Sequence, residues 1–194
     1  MRIPVMVERA RACRICEPGL PLGARPLVQG SGRSRILLIG QAPGKVTHER
    51  GTPWDDASGD RLRAWLGVSR DRFYDPGVFA HMPMGFCYPG KGNSGDLPPR
   101  AECAPEWHPK LLRVFRKVEL TILIGTYALR RYEPELAKGS VTDAVRAWEG
   151  LLPGRVVLPH PSGRNNIWLK KNPWFEREVL PAVRGRVRKA VGAG

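Results

Sequence analysis

The chain has 194 residues, with 32 Lys and Arg against 18 Asp and Glu, a formal charge of +14, and 42% of it is hydrophobic. That composition supports a buried core and argues against a disordered tail despite 22 Gly and 19 Pro. No apolar run approaches the roughly 20 residues of a membrane helix, and the opening MRIPVMVERARAC has no apolar stretch between its charges, so a cytoplasmic protein with no membrane role is expected.

In chain order, the first feature is Cys13-x2-Cys16, inside an amino-terminal segment spanning 1–30. Two thiolates at this spacing converge from one tight turn, and Cys87 with Cys103 could complete a four-sulfur cage for zinc or an iron–sulfur cluster. The competing interpretation is four ordinary thiols, since cysteine is commonly buried without any ligand role. Arg35 to Gly40 (RILLIG) follows as a buried strand running into a Gly and Pro turn. Ser58 is expected to cap a helix that carries Leu62, Trp65 and Leu66 on one face and stops at Gly67.

Val78 to Met82 reads as a weaker strand before Pro83, and the stretch 84–109 as a long loop rich in Gly and Pro that contains the second cysteine pair. Leu120 to Gly125 and Arg155 to Pro159 are further buried strands, separated by helical pieces at Tyr127 to Tyr132 and Val141 to Trp148. The last helix is expected to open at Asn172 and Pro173, to present Phe175, Val179, Val183 and Val187 to the core, and to kink at Pro181. The predicted architecture is a single domain over 1–194, a three-layer α/β/α sandwich around a short, mostly four-stranded parallel sheet.

Residues 151–194 carry nine Lys or Arg against Glu176 and Glu178, a bias that suits a phosphate backbone or a solvated basic face. In open α/β sheets, ligands bind beyond the carboxyl ends of the strands. Two of those ends carry unusual polar, Gly and Pro chemistry here: Gly40 to Gly44 (GQAPG), with Gly51 to Gly59 (GTPWDDASG) close behind, and His160 to Asn165 (HPSGRN).

With these motifs the chain resembles the uracil-DNA glycosylase superfamily from Cys13 to about Pro181, and most closely its family 4 and family 5 iron–sulfur branches. GQAPG is similar to the first motif of family 4, with the Gln of family 1, and HPSGRN looks like the second motif. The resemblance implies a monofunctional DNA glycosylase that hydrolyses the N-glycosidic bond of uracil or a related deaminated base and leaves an abasic site. It implies DNA as partner, a monomer, and a structural [4Fe-4S] cluster at Cys13, Cys16, Cys87 and Cys103, in place of zinc or no metal.

By the same resemblance, Trp54 stands where the family places its base-stacking aromatic, with Ala42, Pro43 and Met84 beside the base. His160 stabilises the departing base. Asp56, in a segment similar to the family 5 Asp-x-Ser-Gly, serves the water, with Asp55 as an alternative; Asp56 could equally do no more than cap a helix. Gln41 binds the base edge or sugar. Gly44, Ser162, Arg164, Asn165, Lys170 and Lys171 contact the DNA backbone. One position departs from the family: Pro83 replaces the family 4 Asn that reads uracil, leaving backbone groups around Met82 to Gly85, or His81, to do so. Rival interpretations are a non-catalytic damaged-base or nucleic-acid binder that retains the pocket, and a metal-stabilised domain acting on RNA or free nucleotides.

Overall fold

A computed structural model describes residues 4–192. Helix α1 (Val5–Arg11) precedes strand β1 (Ile36–Ile39), and α2 (Lys45–Arg50), α3 (Ala57–Leu66) and α4 (Arg70–Tyr74) lead to β2 (Phe79–His81). A two-stranded hairpin, β3 (Lys91–Gly92) with β4 (Gly95–Asp96), and helix α5 (Cys103–Leu112) precede β5 (Leu120–Ile124). Helices α6 (Gly125–Tyr132), α7 (Val141–Arg146) and α8 (Trp148–Leu151) lead to β6 (Arg155–Leu158), and α9 (Asn166–Lys171) and α10 (Leu180–Gly192) close the order.

The main sheet is parallel throughout in the order β2-β1-β5-β6, with Leu38 opposite His81, Ile36 opposite Leu120 and Ile124 opposite Leu158. Its strands are nearly continuous apolar runs because helices cover both faces. Helix α3 packs against α10, while α6 packs along β5 and β6. The guanidinium of Arg184 on α10 donates to the carbonyls of Trp65 and Ala64 on α3, locking that layer. Because the chain winds outward from β1 to β2 and then returns to β5 on the other side of β1, a crevice opens beyond the carboxyl ends of β1 and β5.

Three local expectations are corrected. The stretch 84–109 is not a structureless loop, since it holds the hairpin and enters α5 at Cys103. Pro105 falls in the first turn of α5, where an N–H has no helical partner anyway, and Ala104, Trp107, His108 and Leu111 form a buried face across Pro109. Helix α3 is capped by Asp56 rather than Ser58, the Asp56 carboxylate accepting from the Gly59 N–H at 2.8 Å.

The last helix opens at Asn172 and Pro173, whose carbonyls accept from the Phe175 N–H at 3.0 Å and the Arg177 N–H at 3.3 Å, but the Asn172 side chain accepts from the Trp174 indole at 3.0 Å instead of capping the helix. Phe175–Val179 forms a wider π turn that runs into α10 immediately before Pro181, the residue with no N–H to give. The predicted apolar face is nonetheless intact, with Phe175, Val179, Val183 and Val187 fully buried.

Candidate active site

The strand ends converge on a cleft of about 430 Å³. Gln41, Ala42, Pro43 and Gly44 line it from the end of β1, Pro83 from beyond β2, and His160, Ser162, Arg164 and Asn165 from the end of β6, with Trp54 and Asp56 between them. The turns are tied to one another. Arg61 on α3 donates to the Ser162 carbonyl at 3.2 Å and to Asn166 at 2.8 Å, while the Asn165 amide donates to the His160 carbonyl at 2.7 Å.

Trp54 is held in a left-handed backbone conformation, φ 58°, which costs a non-glycine residue roughly 1–2 kcal/mol. Glycines make that conformation possible: a Cβ on Gly59 would lie 1.7 Å from the Trp54 carbonyl oxygen, and one on Gly40 would lie 2.7 Å from the indole ring. Buried Arg63 donates to the same carbonyl at 3.3 Å. The indole therefore lies over Gly40, with its ring centre 5.9 Å from that of His160.

At His160, the Ser162 backbone N–H can only donate, so Nδ1, 3.3 Å away, accepts. Burial lowers the imidazole pKa from its ordinary value, against an opposing pull from the Asp56 charge. The neutral ring thus carries its hydrogen on Nε2, the form in which histidine can donate to an anion forming beside it. Asp56 accepts from Gly59 N through Oδ1 and from Thr47 Oγ1 through Oδ2 at 3.2 Å. Each oxygen keeps acceptor capacity for a water, so capping α3 and lining the cleft coexist in one side chain.

Other predicted residues fall elsewhere. Asp55 does not line the cleft; its carboxylate pairs with Arg70 at 3.0 Å and Arg50 at 3.7 Å, and the Arg70 hydrogen bond holds it below the usual carboxylate range. Met84 packs against the core and leaves Pro83 as the cleft wall. Lys170 and Lys171 are exposed on the last turn of α9, beyond the lining residues.

The suggested base readers around Pro83 are already engaged. Met82 N–H donates to Leu38, Met84 N–H to Gly40 and Gly85 N–H to Gln41, all between 2.8 and 2.9 Å. His81 is fully buried and donates from Nε2 to the Phe73 carbonyl at 2.9 Å, so it faces α4 and not the cleft.

Sequence reasoning missed Asp96 on β4, which brings a second carboxylate to the cleft opposite Arg164. Burial raises its pKa and Arg164 lowers it. The signal was present in Gly92-Asn-Ser-Gly95, whose turn residues fit a tight hairpin. Pro53 and Ser58 of the GTPWDDASG segment also line the cleft, as do Thr47 and Leu27, which no motif announced.

Cys13, Cys16, Cys87 and Cys103 line one separate, narrow cavity together with Leu20, Phe86 and Trp107. The Trp107 indole donates to Cys13 Sγ at 3.2 Å and the Phe86 N–H to Cys103 Sγ at 3.3 Å. Burial pushes the Cys87 thiol up to about 11 and the Cys103 thiol up to about 12. Among the described residues, no three His, Cys, Asp or Glu side chains are placed to hold a single ion. No helix of the described residues is long and apolar enough to cross a membrane.

The fold, the crevice and its two Gly and Pro turns lie within residues 27–184, which match the uracil DNA glycosylase superfamily, with Cys13 and Cys16 outside the matched stretch. This match covers well over half of the chain, and the protein belongs to that superfamily.

Proposed function

We propose that this chain is a monofunctional DNA glycosylase that hydrolyses the N-glycosidic bond of uracil or a related deaminated base. The observation that carries the proposal is the meeting, in one cleft, of a neutral His160 with its hydrogen on Nε2, an Asp56 carboxylate with unused lone pairs, and the Trp54 ring. A nucleotide extruded from the DNA stack places its base against Trp54. As the bond to C1′ breaks, the base leaves with the electron pair and the His160 Nε2–H stabilises its developing negative charge. Asp56 orients a water toward C1′ and takes up its proton, giving an abasic site.

No lysine lines the cleft among the described residues, which supports hydrolysis by water over a covalent amine intermediate. Ser162, Asn165 and Arg164 line the cleft and would contact the backbone phosphates that flank the extruded nucleotide, and the net charge of +14 favours binding to DNA. Four cysteines lining one cavity are the donor set of a [4Fe-4S] cluster, and the same set would hold zinc. Such a cluster would be structural, joining the amino-terminal segment to the hairpin and α5.

A second possibility, a damaged-base binder without turnover, is favoured by the engaged N–H groups around Pro83, which leave that wall without a donor for uracil. One experiment separates the two. Oligonucleotides carrying uracil, hypoxanthine, xanthine or a thymine mismatch, single- and double-stranded, are incubated with the protein and treated with alkali. Strand breaks at a lesion are the expected result. Intact strands together with tight lesion binding would establish the binder. For the cluster, brown protein prepared without oxygen and containing about four irons per chain is expected; colourless, zinc-loaded protein would refute it.

A further inference from the structure

The chemistry above makes no use of His108, a histidine 1% exposed at the heart of α5. Its Nε2 lies 3.0 Å from the Pro83 carbonyl oxygen and its Nδ1 2.6 Å from the Tyr132 hydroxyl at the end of α6. A carbonyl oxygen only accepts, so Nε2 carries the hydrogen. Burial pushes the ring down to about 4, so at neutral pH Nδ1 is bare and the Tyr132 hydroxyl donates to it. One arrangement of hydrogens satisfies all three groups. Phe86 and Tyr132 lie nearly parallel to the imidazole, tilted by 19° and 21° with ring centres 6.0 Å away, and restrict its rotation.

The bonded carbonyl belongs to the residue that replaces the family's base-reading side chain. Pro83 has no N–H, and the N–H groups of Met82, Met84 and Gly85 are all held by the β1 strand and its turn. The remaining polar group of Pro83, its carbonyl, is drawn into the interior by His108. What Pro83 contributes to the cleft is therefore an apolar ring at a fixed depth.

We propose that His108, oriented by Tyr132, is a positioning residue that fixes the Pro83 wall, and that this wall selects the extruded base by shape and not by hydrogen bonding. The identity of the ligand as a nucleobase rests on the glycosylase reading; the linkage from Tyr132 through His108 to Pro83 does not.

The test compares wild type with His108→Leu, His108→Gln and Tyr132→Phe, each checked for folding by its melting temperature. The first readout is the affinity for an oligonucleotide with one 2′-fluoro-2′-deoxyuridine, which resists hydrolysis, relative to the same strand without it. The second is the split between KM and single-turnover rate on the uracil oligonucleotide. His108→Leu should reduce the lesion preference about tenfold and raise KM, with a much smaller change in the single-turnover rate. His108→Gln, whose amide can still donate to the Pro83 carbonyl, should stay within about threefold, and Tyr132→Phe should fall between the two. Folded variants that all keep the wild-type preference would overturn the proposal, as would a Gln variant as impaired as the Leu variant.

Nuclear magnetic resonance supplies a readout that needs no turnover. The ring ¹⁵N shifts of His108 should report hydrogen on Nε2, and the Pro83 carbonyl ¹³C shift should move in Tyr132→Phe. If wild-type protein neither cleaves nor prefers any lesion, the glycosylase reading fails alone, and an unmoved Pro83 shift would then sink the positioning claim.

Discussion

The wall of the cleft formed by the turns after β1 and β6 and the wall formed by Pro83 lie at the same end of one sheet, yet they dispose of their polar groups in opposite ways. After β6, Ser162 N–H occupies only Nδ1 of His160 and leaves Nε2 with a hydrogen to give; at the mouth of α3, Asp56 accepts two bonds and retains room for more. Behind Pro83, His108 gives its hydrogen to the protein's own carbonyl, and three successive backbone N–H groups are matched by carbonyls of β1 and its turn. Both histidines are held below their ordinary pKa by burial. What separates the proposed catalytic histidine from the proposed positioning one is the destination of the remaining hydrogen, not burial or the direction of the shift.

Acid should have the largest effect, through the histidines buried behind the cleft. The folded-state values of His81 and His108 are both about 4, below the 6.5 of an unfolded histidine, so the unfolded chain takes up protons first as pH falls. Stability is then complete above pH 6.5 and declines as pH falls toward 4, by roughly 3 kcal/mol for each ring. Together these losses are a large part of the roughly 5–15 kcal/mol that holds a typical domain. Urea midpoints measured at pH 7, 5.5 and 4.5 should fall in that order, and the slope should be shallower in His108→Gln. An unchanged slope in that variant would mean that His108 is not the buried neutral group described here.

Substitution on the other wall should affect chemistry without affecting stability. His160→Ala removes the donor to the leaving base and should lower single-turnover excision by about 10²–10³. Asp56→Asn keeps a good helix cap while removing the acceptor for the water proton, with an expected loss of about 10² in rate and little change in melting temperature. DNA affinity should stay near wild type in both. If Asp56→Asn were fully active, Asp96 across the cleft would be the next carboxylate to test.

The sheet and this open wall were legible in the sequence because each is local. Four apolar runs bounded by Gly or Pro give four parallel strands, and the GQAPG and HPSGRN turns follow directly from two of them. The Pro83 wall was not legible, because what it does depends on long-range partners: His108 lies 25 residues away in a helix concealed by two prolines, and Tyr132 another 24 residues beyond. Asp55 and Asp56 pose the same problem in miniature. Adjacent in sequence, they diverge because Asp56 caps α3 toward the cleft while Asp55 turns to Arg70 and Arg50.

Two glycines offer the finest contrast, since one lies beneath the Trp54 ring and the other on the solvent side of a helix. Gly40→Ala would bring a Cβ within 2.7 Å of the Trp54 ring. The ring cannot easily yield, because Arg63 and the tight approach of Gly59 hold the Trp54 backbone, so a loss of about 1–3 kcal/mol is expected together with reduced lesion binding. Gly185, inside α10, has nothing within 4 Å of an added Cβ and no positive φ. Gly185→Ala should therefore stabilise the protein by about 0.5–1 kcal/mol, because alanine loses less backbone freedom than glycine on entering a helix, and lesion binding should not change. A lesion affinity lowered equally by both substitutions would mean that the cleft responds to the stability of α10 at a distance, and the separation drawn between the cleft wall and its structural support would fail.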